Sequence, residues 1–226
     1  MTILLIFDVE TSGLLPKDYK PWKGFSDLSK FPFVIQLSYI LYDLENQRLL
    51  NSYNEYINQN MESIDPVITN LTGISIELLQ TKGVPIENAL DNFSKACLEC
   101  NAIIAHNLEF DSTMIHIENM RNAKKLSENS CNTITDIFKK TNNNIIYECT
   151  MQMTVDFCNL ERINSRGIYK KLPKLAELYQ ILFGKIPENL HNSIVDVFAC
   201  LRCYLKYKYK IDMDDHLFQE MIVLHL

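Results

Sequence analysis

The sequence predicts an α/β protein with helices layered around a mixed sheet, and three observations predict it. Residues 3–9, ILLIFDV, are a short and nearly all-apolar run, the pattern of a strand buried on both faces. Residues 33–43 (FVIQLSYILYD) and 49–57 (LLNSYNEYI) are β-branched and aromatic with partial alternation, which suits antiparallel neighbours of the first strand. From residue 65 onward the pattern becomes alternating helix and strand.

The elements follow in order. Asp65-Pro66 predicts a helix start, with Asp65 as N-cap and Pro66 at the first helical position. Gly73 ends that helix, and Ser75 caps another short one. Residues 85–100 have helical periodicity. Residues 102–106, AIIAH, read as a short apolar strand, followed by a helix from 110 to 123. Residues 124–147 are polar and Asn-rich and read as a surface excursion. A strand is expected near 148–152, then helices near 154–159, 173–183 and 193–208. The tail from 212 to 226 ends in QEMIVLHL and is expected to fold back as a short amphipathic helix.

The 226 residues, 47% of them hydrophobic and 22% charged, suit one globular domain over 1–226, with a core at 3–209. Residues 15–32 and 124–147 read as insertions, and 210–226 as a short tail. The apolar start lacks a basic region and a small-residue cleavage site, and no apolar run approaches the ~20 residues that span a bilayer. The expected location is therefore cytoplasmic or nuclear, with no membrane partner. Seven cysteines, an odd number, read as reduced thiols. Cys97-x-x-Cys100 and Cys200-x-x-Cys203 invite a zinc reading, but both fall in predicted helices about a hundred residues apart, and core packing is the expectation.

Three short segments carry chemistry. Asp8 and Glu10, at i and i+2 of the first strand, share one face. Two carboxylates there repel each other and are costly to bury, and a bound hard cation relieves both problems. A solvated strand end is the plainer reading of that pair alone. His106-Asn107-Leu108-Glu109-Phe110-Asp111 follows an apolar strand and opens a helix, where an acid is favourable in any case. In His191-Asn192-Ser193-Ile194-Val195-Asp196, Ser193 or Asn192 caps the next helix, leaving His191 in the preceding loop and Asp196 one turn in.

Together these segments resemble, in order and context, the three motifs of the DnaQ-like (DEDD) 3′→5′ exonucleases. Phe7-Asp8-Val9-Glu10-Thr11-Ser12-Gly13-Leu14 is similar to FDxETTGL, and His106 to Asp111 to HNxxFD. His191 with Asp196 fits HxxxxD, the mark of the histidine subclass. Asp65-Pro66 and Leu71-Thr72-Gly73-Ile74 resemble a further family segment. The resemblance spans residues 3 to about 205. It departs at Asn192, where a small residue is usual, and that residue could reposition His191.

The resemblance implies a ribonuclease H-like fold, with a mixed five-stranded sheet flanked by helices on both sides. It implies a metal-dependent phosphodiester hydrolase using two Mg²⁺ ions, for which Mn²⁺ substitutes. Asp8, Glu10, Asp111 and Asp196 would be the metal ligands. His191 would be the general base, a task suited to an imidazole. Thr11, Leu14, Thr72, Gly73, Ile74, Asn107 and Phe110 would contact the terminal nucleotide. The expected partner is nucleic acid with a free 3′ end, foremost single-stranded DNA, with a polymerase or a replication or repair complex as a further partner. A net charge of −6 argues against tight non-specific binding to long duplexes. Two alternatives stand beside this: a 3′→5′ exoribonuclease of the same fold, and a nuclease-like module that binds without cutting. In the 15–32 segment, Lys17, Lys20 and Lys23 are candidates to guide the phosphate backbone, and Tyr19 and Trp22 to stack on bases.

Overall fold

A computed structural model describes residues 1–19, 25, 27–59, 61–142 and 144–226. The first strand, β1 (Ile3–Thr11), pairs antiparallel with β2 (Val34–Asp43), which pairs antiparallel with β3 (Arg48–Asn58). On its other edge β1 runs parallel to β5 (Ala102–Ala105), and β5 runs parallel to β6 (Ile146–Cys149). These are the five expected strands. Among the described residues a sixth, β4 (Val84–Pro85), pairs parallel with the end of β3, giving the order β4-β3-β2-β1-β5-β6. Two residues are too few to show alternation in a sequence.

Helices cover both faces. Between β3 and β4 lie α1 (Pro66–Thr72) and α2 (Ile76–Lys82), capped by the Asp65 carboxylate and the Ser75 hydroxyl as expected. Gly73 closes α1 at φ +73°, a left-handed conformation natural to glycine. On one face α3 (Ile86–Glu99), α4 (Leu108–Asn122) and α5 (Glu128–Lys139) bury Leu5, Phe7 and Val9 with Leu90, Phe93, Ile115 and Ile134. The other face carries α8 (Leu175–Phe183), α9 (Ser193–Tyr204) and α10 (Asp215–Val223), over Leu4, Ile6, Ile40 and Tyr42. The side chains of β1 alternate between two cores, which is why its sequence reads as one continuous apolar run.

Three segments differ from expectation. The polar 124–147 stretch contains α5, capped by Ser127, with Ile134 and Ile137 in the core. Two isoleucines a single turn apart suffice to dock it. The strand expected at 148–152 sits at 146–149, and Thr150 already begins α6 (Thr150–Met153), followed by α7 (Val155–Cys158). Between α7 and α8 an unexpected hairpin forms, β7 (Glu161–Asn164) with β8 (Gly167–Lys170).

The tail folds back as expected. Phe218 and Ile222 of α10 are buried, and Arg202 of α9 donates to Asp215 at 2.7 Å and to the Met213 carbonyl at 2.9 Å. The two Cys-x-x-Cys pairs lie in opposite cores, Cys97 and Cys100 on one side of the sheet and Cys200 and Cys203 on the other. They make no four-sulfur site. Among the described residues no helix is long and apolar enough to cross a membrane.

Candidate active site

The site forms where β1 outruns its parallel neighbour. β5 pairs only with Leu4, Leu5 and Ile6, so the backbone beyond them lacks a strand on that edge. Asp111, in the first turn of α4, fills the gap: its Oδ1 accepts from the Val9 N–H at 3.3 Å. Asp111 is 2% exposed, so the bond fixes a buried carboxylate beside the end of β1. Asn107, the residue before α4, is left-handed at φ +79°, which asparagine tolerates better than most residues. That turn swings α4 back over the strand end.

Asp8 and Glu10 share the β1 face opposite Val9 and stand across from Ser38 and Gln36 of β2. This is the face on which α9 packs. Asn192 caps α9, its Oδ1 accepting from the Ile194 N–H at 3.4 Å, so Asn192 rather than Ser193 is the cap. The loop before it holds Asn189 at φ +58° and His191 at φ +72°. Two left-handed residues other than glycine in three positions are a local cost of the kind that gathers at functional sites. The Asp196 carboxylate helps hold that bend by accepting from the His191 N–H at 3.3 Å.

The ligand atoms of Glu10, His191 and Asp196 lie within 4.8 Å of one another. Asp8 and Asp111 stand outside that trio but within electrostatic reach of it. Burial, then the charges of Asp111, Asp196 and Glu10, hold the Asp8 carboxyl well above the usual range. Burial and the Asp196 and Asp111 charges push Glu10 up to about 9. Burial alone raises Asp196 to about 7, and burial raises Asp111 against the bond from Val9. Four carboxylates that resist ionising together form an oxygen-rich donor set, and a hard divalent cation relieves them all. His191 is exposed on its loop. Partial desolvation of its ring, with the Lys174 ammonium nearby, lowers its pKa and favours neutral imidazole.

The other predicted residues are spread around this centre. Thr72 and Gly73 line a groove of about 410 Å³ with Asn189, His191, Asn192 and Leu226. Ile74 is 1% exposed and packs with Ile35, Ile64 and Leu79, so its side chain holds the turn rather than facing the groove. Thr11 is buried, its hydroxyl donating to the Gly13 carbonyl at 2.6 Å. Leu14, 81% exposed, borders a separate cleft with Phe33 and Met61. Phe110 is half-buried against the core on the α4 side.

Tyr19 does not serve as a base platform. It packs among Phe25 and Phe31, with ring centroids 5.6 and 5.4 Å away, and Phe25 in turn lies against His116 of α4 at 5.6 Å. Lys17 is exposed, and Lys20, Trp22 and Lys23 lie outside the described residues.

A polar network beneath the site was not anticipated. Gln36 Nε2 donates to Asn54 at 2.8 Å and to Asn192 at 3.2 Å, while Gln36 Oε1 accepts from the Ser193 N–H. The Ser193 hydroxyl donates to Ser38, whose own hydroxyl donates to Asn54 at 2.9 Å. These contacts fix the start of α9 over Asp8 and Glu10. The available signal was Gln36 and Ser38, two polar residues at i and i+2 within the otherwise apolar and aromatic run from Val34 to Tyr42.

No family model and no curated protein sequence matches the chain. Solved structures do. E. coli exonuclease I in complex with a dT13 oligonucleotide superposes with a TM-score of 0.63 at 15% identity, over 97% of this chain and 43% of that one. Its complex with a dA16 oligonucleotide gives 0.63 at 16% identity, over 99% and 43%. The zinc-bound form of the E. coli exonuclease I complex with single-stranded DNA gives 0.60 at 13% identity, over 99% and 43%. The chain thus spans less than half the length of these structures. Over almost its whole length it has the ribonuclease H-like α/β fold found in exonuclease I.

Proposed function

We propose that this chain is a metal-dependent 3′→5′ exonuclease of the DnaQ-like histidine subclass, hydrolysing the terminal phosphodiester bond of single-stranded DNA. The observation that carries the reading is the convergence of Asp8, Glu10, Asp111 and Asp196 with His191, drawn from three distant segments. The fold likeness to exonuclease I, crystallised with single-stranded oligonucleotides, supports it.

The donor set suits two Mg²⁺ ions held by Asp8, Glu10, Asp111 and Asp196, with Mn²⁺ as a substitute. Such ions supply charge neutralisation at phosphorus and acidify bound water. The chain's own residues do the rest. His191, kept neutral by partial desolvation and by Lys174, takes a proton from the attacking water. The Asp196 carboxylate holds the His191 backbone, and Gln36 with Asn192 holds the helix that carries Asp196. The groove between Thr72-Gly73 and His191 receives the terminal nucleotide.

A panel of end-labelled single-stranded DNA, duplex DNA and RNA, incubated with Mg²⁺, Mn²⁺ or chelator, tests this reading. Mononucleotide release from the 3′ end of single-stranded DNA, abolished by chelator, is expected. A clear preference for RNA would move the assignment to an exoribonuclease. Binding with no cleavage in either metal would leave only a nuclease-like binding module.

A further inference from the structure

The hairpin of β7 and β8 has no structural reason to carry the side chains it does. Every residue from 161 to 170 is exposed, and Ile163, Ile168 and Tyr169 are 80%, 66% and 44% exposed. An isolated two-stranded ribbon is marginally stable in water, and large apolar side chains on it gain nothing unless something covers them. Its turn is well specified. The Asn164 side chain accepts from the Arg166 N–H at 2.8 Å, and Gly167 sits at φ +118°, which a side chain would resist.

Its charge is opposite to that of the chain. Residues 161–172 carry Arg162, Arg166, Lys170 and Lys171 against Glu161 alone, a local +3 within a protein of −6. Lys170 and Lys171 pair with Asp156 and Glu177. Among the described residues no carboxylate lies within ion-pair distance of Arg162 or Arg166. Register sorts the side chains. Arg162 stands directly opposite Tyr169, so a guanidinium and a phenol ring share one face, while Ile163 and Ile168 share the other.

The ribbon is rooted at the candidate active site. Just past β8, the Pro173 carbonyl contacts His106 Nε2 at 3.1 Å, and the charge of Lys174 acts on His191. Tyr169 is five residues from Lys174, a reach of at most about 17 Å of extended chain.

We infer that the β7–β8 hairpin is a clamp for the single strand that trails out of the active site, with Arg162 and Arg166 on phosphates and Tyr169 stacking on a base. This rests on the proposed nuclease function. Polyanion is the occupant that the free arginines favour, and the Arg162–Tyr169 pair is the combination that holds single strands without sequence preference.

The test is anisotropy of a fluorescein-labelled 20-mer oligothymidylate binding to Asp8→Asn protein, so that no turnover is needed. Adding Arg162→Ala, Arg166→Ala and Tyr169→Ala together should weaken binding at least about tenfold. It should also flatten the log Kd against log salt slope by about 1.4, at about 0.7 for each lost phosphate contact. Tm, read in parallel, should not change, since the ribbon buries nothing. Unchanged affinity and salt slope would overturn the clamp, and the exposed apolar face would then point to a protein partner. If this loss of binding is seen while the wild-type protein releases no 3′ nucleotide, the clamp stands and the nuclease reading falls.

Discussion

The Asp111 carboxylate closes the backbone of β1 by accepting from the Val9 N–H, where the shorter β5 leaves that edge without a partner. One residue therefore acts both as a hydrogen-bond acceptor in the fold and as a proposed metal ligand, and the two roles separate by substitution. Asp111→Asn keeps an acceptor for Val9, while Asp111→Ala leaves a buried N–H unpaired at a cost of about 1–3 kcal/mol. Urea unfolding in chelator should rank the Asn variant above the Ala variant by that amount. Both should lose at least about a hundredfold in cleavage rate. Equal stability of the two would remove the structural role.

Mg²⁺ should stabilise the folded chain. At a concentration of about 100 Kd the gain is about 2.7 kcal/mol, or a Tm rise of roughly 5–10 °C for a domain of this size. Asp8→Asn should melt higher than wild type in chelator, because it relieves the crowding of Asp8 by Asp111, Asp196 and Glu10. Its response to Mg²⁺ should be largely gone. Differential scanning calorimetry checks both, and an equal Mg²⁺ shift in the two proteins would contradict the ligand assignment.

His191→Ala should lower the single-turnover rate by about 10²- to 10⁴-fold. Substrate affinity should fall by far less than the rate, since the ring is proposed to act on water while also lining the groove. Because the His191 pKa is lowered, wild-type activity should persist below the pH at which a free imidazole protonates. Chemistry unchanged in the variant would exclude the base role.

Stability should fall in acid through a histidine away from the site. His116 of α4 stacks on Phe138 at 4.1 Å, its Nδ1 is buried without a partner among the described residues, and burial and Lys139 push its pKa down to about 4. The unfolded chain therefore takes up this proton near pH 6.5 while the folded one does not until about 4. Stability is intact above 6.5 and is lost as pH falls through that window. Melting curves at pH 7.5, 6, 5 and 4 should show a steeper decline for wild type than for His116→Phe. Parallel declines would place the acid sensitivity elsewhere.

Much of this was legible because the residues concerned are constrained by more than one rule. Ile3 to Val9 had to be buried on both faces, and Asp65-Pro66 is both a cap and a fixed φ, so each was readable locally. What escaped had weaker signals. In α5 only Cys131, Ile134, Ile137 and Phe138 interrupt a polar run. The β7–β8 ribbon buries neither face, so no alternation marks it. Gln36 and Ser38 gain their meaning only when β2 is laid beside β1 and α9, a long-range pairing that spacing does not report. Ile74 was readable as a family position and equally as ordinary core packing, and its partners Ile35 and Ile64, which come from other segments, decide for the core.

The central claim is that these four carboxylates and His191 cut nucleic acid from its 3′ end. A time course on 5′-labelled single-stranded DNA with Mg²⁺, run for wild type beside Asp8→Asn, tests it most directly. A ladder shortening one nucleotide at a time from the 3′ end, present in wild type and absent in the variant, is the predicted result. Internal fragments, release of the 5′ label as a mononucleotide at the outset, or equal cleavage by Asp8→Asn would contradict it.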